Sequence, residues 1–391
     1  MKKLLYVILA AMGALMFVQC SDWTEMEPKF TEPVNINGED YYKALREDKE
    51  GHGFCPQREY KKSDHQVVFG WYSEWTGTGT NMNNQLRGIP DSMDIVSLWG
   101  NAFNLTEAQK SDLKEVREKK GTRVLYCQHI MDIGRAHTPA SVENDFIVDG
   151  VQYASKGEAM AAYWGWYEGW PNRNGYGDTS PEGIEKAIRK YARVIADSII
   201  KYGYDGFDID YEPNFDHRGN MSGSDENMLL FIQTLGERIG PKSGTDRLLV
   251  IDGEPQSIVS ESGPYFNYFI VQAYDSPGDN TGRDNLDSRL NSTIRNFDGH
   301  LTAEEVAKKY IVTENFEKWA LSGGADFTDR YGNKMKSLEG MARWTPIING
   351  KKCVKGGVGT YHMEYEYTID GTEESYPYLR NAIRIMNPPV K

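Results

Sequence analysis

Short apolar runs recur along the chain, each separated from the next by a polar or helix-patterned stretch. Eight of them read as strands: His65–Tyr72, Met93–Trp99, Thr122–His129, Tyr204–Glu212, Leu248–Gly253, Tyr268–Asp275, Tyr310–Thr313 and Gly356–Met363. Between the second and third, Thr106 offers a capping hydroxyl to a helix, with Gln109 three residues on as in a capping box. A longer helix starts after Ser180, where Pro181 suits the first turn. Ile184, Ile188, Tyr191, Ile195 and Ile199 fall on one stripe of it. Further helices are expected near Asn227–Ile239, Ala303–Lys309 and Pro377–Met386. Such alternation implies a parallel sheet. Eight strands in residues 61–391 favour an α/β fold closed as a (β/α)8 TIM barrel over an open sheet.

The beginning of the chain has a different pattern. Lys2 and Lys3 precede an apolar run from Leu4 to Val18, a charged n-region and an h-region too short to span a membrane as a helix. The run stops at Cys20, and the arrangement resembles a bacterial lipoprotein signal. It implies removal of residues 1–19, a lipid on Cys20, and attachment to a bacterial cell surface or outer membrane. Residues 20–60 are polar and without period, which reads as a tether.

Composition narrows the function. The formal net charge is −13, which argues against nucleic acid as a partner. Cys20, Cys55, Cys127 and Cys353 are widely scattered, with no CxxC, so neither a disulfide framework nor a zinc site is expected. No glycine-rich phosphate loop follows any strand, so no nucleotide cofactor is expected. Aromatic residues reach 12%, a supply of flat faces on which sugars are often held.

The fourth strand carries the chemistry. It reads YDGFDIDYE, from Tyr204 to Glu212. Successive side chains alternate faces, so Asp208, Asp210 and Glu212 share one face and Phe207, Ile209 and Tyr211 the other. In a barrel the apolar set suits the helix side and the acids line the interior. Glu212 then comes last, at the end of the strand where barrel active sites lie. A calcium loop beginning at Asp208 fails, because Pro213 and Gly219 stand where glycine and glutamate are needed.

This stretch resembles the DxxDxDxE signature of glycoside hydrolase family 18, carried here by Asp205, Asp208, Asp210 and Glu212. The resemblance implies a TIM barrel and substrate-assisted hydrolysis with retention of configuration. Glu212 would be the general acid, then the base. Asp210 would orient the substrate's 2-acetamido group, whose oxygen attacks the anomeric carbon. Asp208 would share charge or a proton with Asp210. Asp205, on the other parity, would be structural. Tyr274 would donate to the acetamido oxygen, with Gln272 beside it. A Gln-x-Tyr pair resembles the endo-β-N-acetylglucosaminidase branch, whereas chitinases more often show Met-x-Tyr.

Two chitinase features are absent: Tyr126-Cys127-Gln128-His129 replaces the SxGG pattern, and strand eight lacks a tryptophan. The expected substrates are N-glycans of glycoproteins or other GlcNAc-containing glycans. A chitinase, and a glycan-binding lipoprotein without turnover, are the alternatives. Trp164, Trp166 and Trp170, in the segment after strand three, and Tyr72 and Trp99, at the ends of strands one and two, are candidates to stack on sugar rings.

Overall fold

A computed structural model describes residues 61–388, apart from 101–102, 170–172 and 216–217. The signal and tether expectations, with Cys20, fall outside these residues, as does Trp170. Eight parallel strands close a barrel: β1 (Val67–Tyr72), β2 (Ile95–Leu98), β3 (Arg123–His129), β4 (Gly206–Tyr211), β5 (Leu248–Gly253), β6 (Tyr268–Gln272), β7 (Tyr310–Asn315) and β8 (Gly357–Tyr361). Each pairs with its neighbour in sequence, and β8 returns to β1 with Gly357 beside Val67. Every expected strand is present. Both faces of such a sheet are covered, so its strands need near-continuous apolar runs; β1, VVFGWY, is buried at all its positions.

The pleat sorts these runs into two layers. Val67, Phe69, Trp71, Ile95, Leu125, Cys127, Val250, Ile270 and Ile311 fill the barrel interior. Their alternate neighbours, among them Val68, Val96, Val124, Phe207, Ile209, Leu249 and Val312, join the larger layer under the helices. That outer layer includes the aliphatic stripe of the longest helix.

The helices around the barrel are α1 (Glu107–Glu115), α2 (Lys156–Trp164), α3 (Pro181–Tyr202), α4 (Asp225–Gly236), α5 (Leu286–Asn296), α6 (Ala303–Lys309), α7 (Ser337–Arg343) and α8 (Pro377–Met386). Thr106 and Gln109 form the capping box of α1. In α3, Ser180 caps Gly183, Pro181 opens the first turn, and Ile188, Tyr191, Ile195 and Ile199 are buried. Helix α4 runs from Asp225 to Gly236 rather than from Asn227 to Ile239, because Ser224 caps it two residues earlier than expected.

Helices α2, α5 and α7 were not expected. Along α5 the buried residues are Leu286, Leu290 and Thr293, too thin a stripe to stand out from a polar sequence. The segment Ala161–Trp170 is not a plain loop. It ends α2 and enters a short antiparallel pairing of Trp166–Glu168 with Gly175–Gly177. No described helix is long and apolar enough to cross a membrane.

Asp205 sits just before β4, at the end of the barrel opposite the strand C-termini. Its carboxylate accepts two bonds from Arg117, each at 2.7 Å, and one from the Val124 amide at 2.9 Å. These bonds tie Val116–Lys120, the turn that follows α1, to β3 and β4.

Candidate active site

The alternation of β4 puts Asp208 and Asp210 inside the barrel, one level apart, and Glu212 just beyond the strand's end. Asp208 is fully buried; Asp210 and Glu212 are half-buried. Asp208 Oδ2 accepts from Ser97 Oγ on β2 at 2.7 Å and from Trp71 Nε1 on β1 at 3.1 Å. A further acid joins them: Asp252 on β5, buried and in register with Asp210. Donor atoms of Cys127, Asp208 and Asp252 lie within 4.8 Å of one another, and the Cys127 thiol donates to Asp252 Oδ2 at 3.6 Å. Asp208 therefore meets Asp252 through hydrogen bonding and Asp210 through charge. The sequence reading passed over Asp252. The signal was parity: it lies two residues beyond inward-facing Val250, at the end of its strand.

Burial is the largest cause of the raised carboxyl pKa values throughout this cluster. Asp208 is pushed from 3.8 up to about 6, restrained by donors including Ser97 and Trp71. Asp210 is pushed up to about 8, with the charges of Glu212 and Asp208 adding to burial. Asp252 is held well above the ordinary range by burial and then by Asp208 and Asp210. Burial also raises Glu212, the Gln272 bond opposes the rise, and Glu254 adds to it. Interacting carboxyls this close cannot all ionise at neutral pH, so the set titrates as one body that retains protons.

Glu212 is fixed from several directions. Gln272, the last residue of β6, donates Nε2 to Glu212 Oε1 at 2.6 Å and reaches Asp252 Oδ1 at 3.4 Å. Gly253 lies beside it at φ +87°, where a Cβ would stand 2.7 Å from Tyr211 O and 3.0 Å from Glu212 Cγ. A glycine is needed here on both counts. The Phe215 amide donates back to Glu212 O at 3.1 Å, closing a turn directly after the acid.

Tyr274 lies just past β6, which ends at Gln272 rather than continuing to Asp275. The Asp275 amide donates to Glu314 Oε1 at 3.1 Å, and Asp275 has φ +55°. That turn directs Tyr274 to the barrel mouth. Burial, then the charge of Asp252, raises its hydroxyl pKa well above the usual tyrosine value. Its ring stacks on Tyr361 at 6.1 Å, and Tyr361 stacks on Trp99 at 5.6 Å. Tyr361, at the end of β8, thus supplies an aromatic face where the sequence showed no tryptophan.

Other aromatic candidates are elsewhere. Tyr72 points outward, fully buried under the helices, and donates its hydroxyl to Asn83 O; its neighbour Trp71 faces the site instead. Trp164 is buried, bonds Thr138 Oγ1 at 2.9 Å and packs edge-on against Tyr191. Trp166 is buried in the same outer layer. Neither offers a free face to a sugar. Beyond Glu212, a cleft of about 710 Å³ extends over the ends of β5 and β6 to the first turns of α5, lined by Asn214, Phe215, Glu254, Arg283, Asn285 and Ser288 among others.

Residues 20–385 match the family described as glycoside hydrolase family 18, BT1044-like. The chain belongs to this family. It is therefore a glycoside hydrolase. It is 24% identical over 348 residues to endo-β-N-acetylglucosaminidase F2 of Elizabethkingia meningoseptica, covering 84% of each chain. It is 27% identical over 211 residues to EndoS of Streptococcus pyogenes serotype M1, where the match spans 20% of that protein. Among solved structures, a selenomethionine BT1044 variant with glutamine in place of a glutamate superposes with TM-score 0.65 at 29% identity, covering 88% of this chain and 97% of that one. The endo-β-N-acetylglucosaminidase of Cordyceps militaris, solved with fucosyl-N-acetylglucosamine-Asn, has TM-score 0.53 at 20% identity, covering 86% of this chain and 96% of that one, a likeness of fold.

Proposed function

We propose that this family 18 hydrolase is a retaining endo-β-N-acetylglucosaminidase that cuts between the two core GlcNAc residues of N-glycans. The observation that carries the reading is the Glu212–Gln272 bond, with Tyr274 two residues beyond Gln272 and Asp210 beneath. The names of the two relatives found by sequence support it.

The geometry supports a substrate-assisted exception to the two-carboxylate scheme. Gln272 occupies Glu212 Oε1, which leaves Oε2 to carry the proton toward the glycosidic oxygen. Burial raises the pKa of this carboxyl, which favours its holding that proton. Asp210 accepts the acetamido N–H, and the Tyr274 hydroxyl donates to the acetamido oxygen as it closes on the anomeric carbon. Positive charge on the resulting oxazolinium ring is stabilised by the Asp210 carboxylate as the proton it shares shifts to Asp208. Glu212, now ionised, takes a proton from the water that opens the ring. Asp208 and Asp252 hold the charge state of the cluster beneath.

Attachment to a bacterial surface through Cys20 belongs to the same proposal and rests on residues 1–20 alone. The test of activity is mass spectrometry of the soluble domain incubated with an N-glycoprotein and, separately, with chitooligosaccharides. A single GlcNAc left on the polypeptide supports the proposal; shortened chitooligosaccharides without glycoprotein cleavage would replace it with a chitinase. Glu212→Gln lowers turnover by roughly 10³-fold or more and leaves glycan binding intact; unchanged activity would refute its assignment.

A further inference from the structure

The end of the barrel opposite its mouth carries a built projection. Strand β8 begins at Gly357, so the connection before it, Trp344–Gly356, lies at the end where the strands start. Its sequence, WTPIINGKKCVKG, holds three lysines and no acid, in a chain of net charge −13. Ile347 pairs with Lys352 and Ile348 with Lys351 in a short hairpin. Asn349 at φ +50° and Gly350 at φ +77° make the turn between them, the left-handed pair that a two-residue hairpin favours. The base is pinned: buried Lys355 donates Nζ to Ala342 O, Trp344 O and Gln66 Oε1, each at 2.9 Å.

This hairpin presents an amphipathic face. Ile348 is buried in the core, whereas Ile347 is 44% exposed and Val354 62% exposed. Lys352 shares their side, as its pairing with Ile347 and the strand alternation require. Lys351 and Lys352 are both exposed, and among the described residues no acid pairs with either. Strands β7 and β1 flank β8. Their starts extend the basic patch with Lys308, in the last turn of α6, and Lys62, before β1, both exposed. Asp64, also exposed, pairs with Lys308 at 2.8 Å. Exposed aliphatic side chains among lysines, on a fixed projection, suit a surface that is anionic outside and apolar just beneath.

The path of the chain points to the same surface. Residues 1–60 join the barrel at this end: Lys61 donates Nζ to Met93 O at 2.6 Å and to Thr122 Oγ1 at 3.0 Å, just ahead of β2 and β3. A lipid on Cys20 therefore lies nearer along the chain to this end than to the mouth. We propose that this end docks on an anionic lipid membrane, with Lys351 and Lys352 against the headgroups and Ile347 and Val354 entering the interface. The barrel mouth then faces away from the bilayer. The choice of partner rests on the reading of Cys20 as an anchor; the contacts rest on the hairpin. An acidic chain is repelled by such a surface unless its basic end leads, so the patch sets orientation as well as affinity.

The experiment uses residues 20–391 with Cys20→Ser, which carries no lipid, and vesicles of phosphatidylcholine, alone or mixed equally with phosphatidylglycerol. The protein sediments with the mixed vesicles, far less with phosphatidylcholine, and less with both as salt is raised. Lys351→Glu combined with Lys352→Glu lowers partitioning onto the mixed vesicles roughly tenfold or more. Ile347→Ser combined with Val354→Ser lowers it roughly threefold or more. Thermal melts of both variants match that of the unsubstituted protein, which separates lost docking from lost folding. Equal binding to the two vesicle types overturns the proposal, as does undiminished partitioning of the lysine variant. So does self-association in analytical ultracentrifugation that the isoleucine and valine changes abolish, since the face then belongs to a second copy of the chain. Mass spectrometry of Cys20 in protein taken from cell membranes tests the anchor by itself, so failure of the anchor and failure of the docking are distinguishable.

Discussion

Gln272 donates its side-chain amide to Glu212 Oε1 at 2.6 Å, joining the end of β6 to the acid beyond β4. The bond favours the ionised carboxyl and opposes the upward push of burial. In Gln272→Met that opposition is gone, so the pKa of Glu212 rises further. The basic limb of the kcat/KM profile moves to higher pH, and the maximum falls roughly tenfold or more as orientation is lost. A pH–rate profile of the variant checks both; a basic limb that stays or moves down contradicts the assignment.

The acid cluster imposes a pH-dependent cost on folding. Asp208 and Asp210 are raised from 3.8 to about 6 and about 8. Groups raised in the folded state contribute stability that is fully present below their unfolded pKa. It is lost as pH rises through the folded values. Asp210→Asn removes one such group. The variant melts about 2 °C or more above the unsubstituted protein at pH 8, and at nearly the same temperature at pH 3.5. Parallel melting curves across that range would show that the cluster is not strained by ionisation.

Gly253 tests how tightly Glu212 is held. A methyl group there meets Tyr211 O at 2.7 Å and Glu212 Cγ at 3.0 Å, on a backbone at φ +87°. Gly253→Ala costs about 1–3 kcal/mol in urea unfolding. It also lowers kcat/KM on glycopeptide by roughly 10²-fold, because the carboxyl is moved. Normal activity in the folded variant would mean that the turn relaxes without disturbing the acid.

Asp205 gives the converse result. Asp205→Ala strands Arg117 and the buried Val124 amide, a loss of about 2–3 kcal/mol in urea unfolding. The kcat of the folded fraction stays within about twofold, since this carboxylate lies at the far end of the strand. A selective loss of kcat would give it a role in catalysis.

The eight strands were legible because each is a short apolar run bounded by polar sequence, and a parallel barrel needs little else. Parity within β4 also placed Asp208 and Asp210 correctly. What one strand cannot reveal is the height of its neighbours: the register that sets Asp252 beside Asp210 is a property of the sheet. Tyr72 was chosen for its place at a strand end, but alternation turns Trp71 inward and Tyr72 out. Trp164 and Trp166 follow strand three, on the side of the barrel where sites lie, but place in the chain does not separate a sugar platform from the packing of a long excursion. Phe215 drew no notice because an isolated aromatic in a polar loop has no pattern to mark it.

Strand β4 and its flanks thus divide their labour by length. At one end Asp205 is clamped by Arg117; at the other Glu212 faces a cleft built from loops and one helix face. Changes in the loops that line this cleft can alter which substrates are accepted without loosening the clamp. The same barrel can then drift in appetite across a lineage while its folding stays insulated from the experiment.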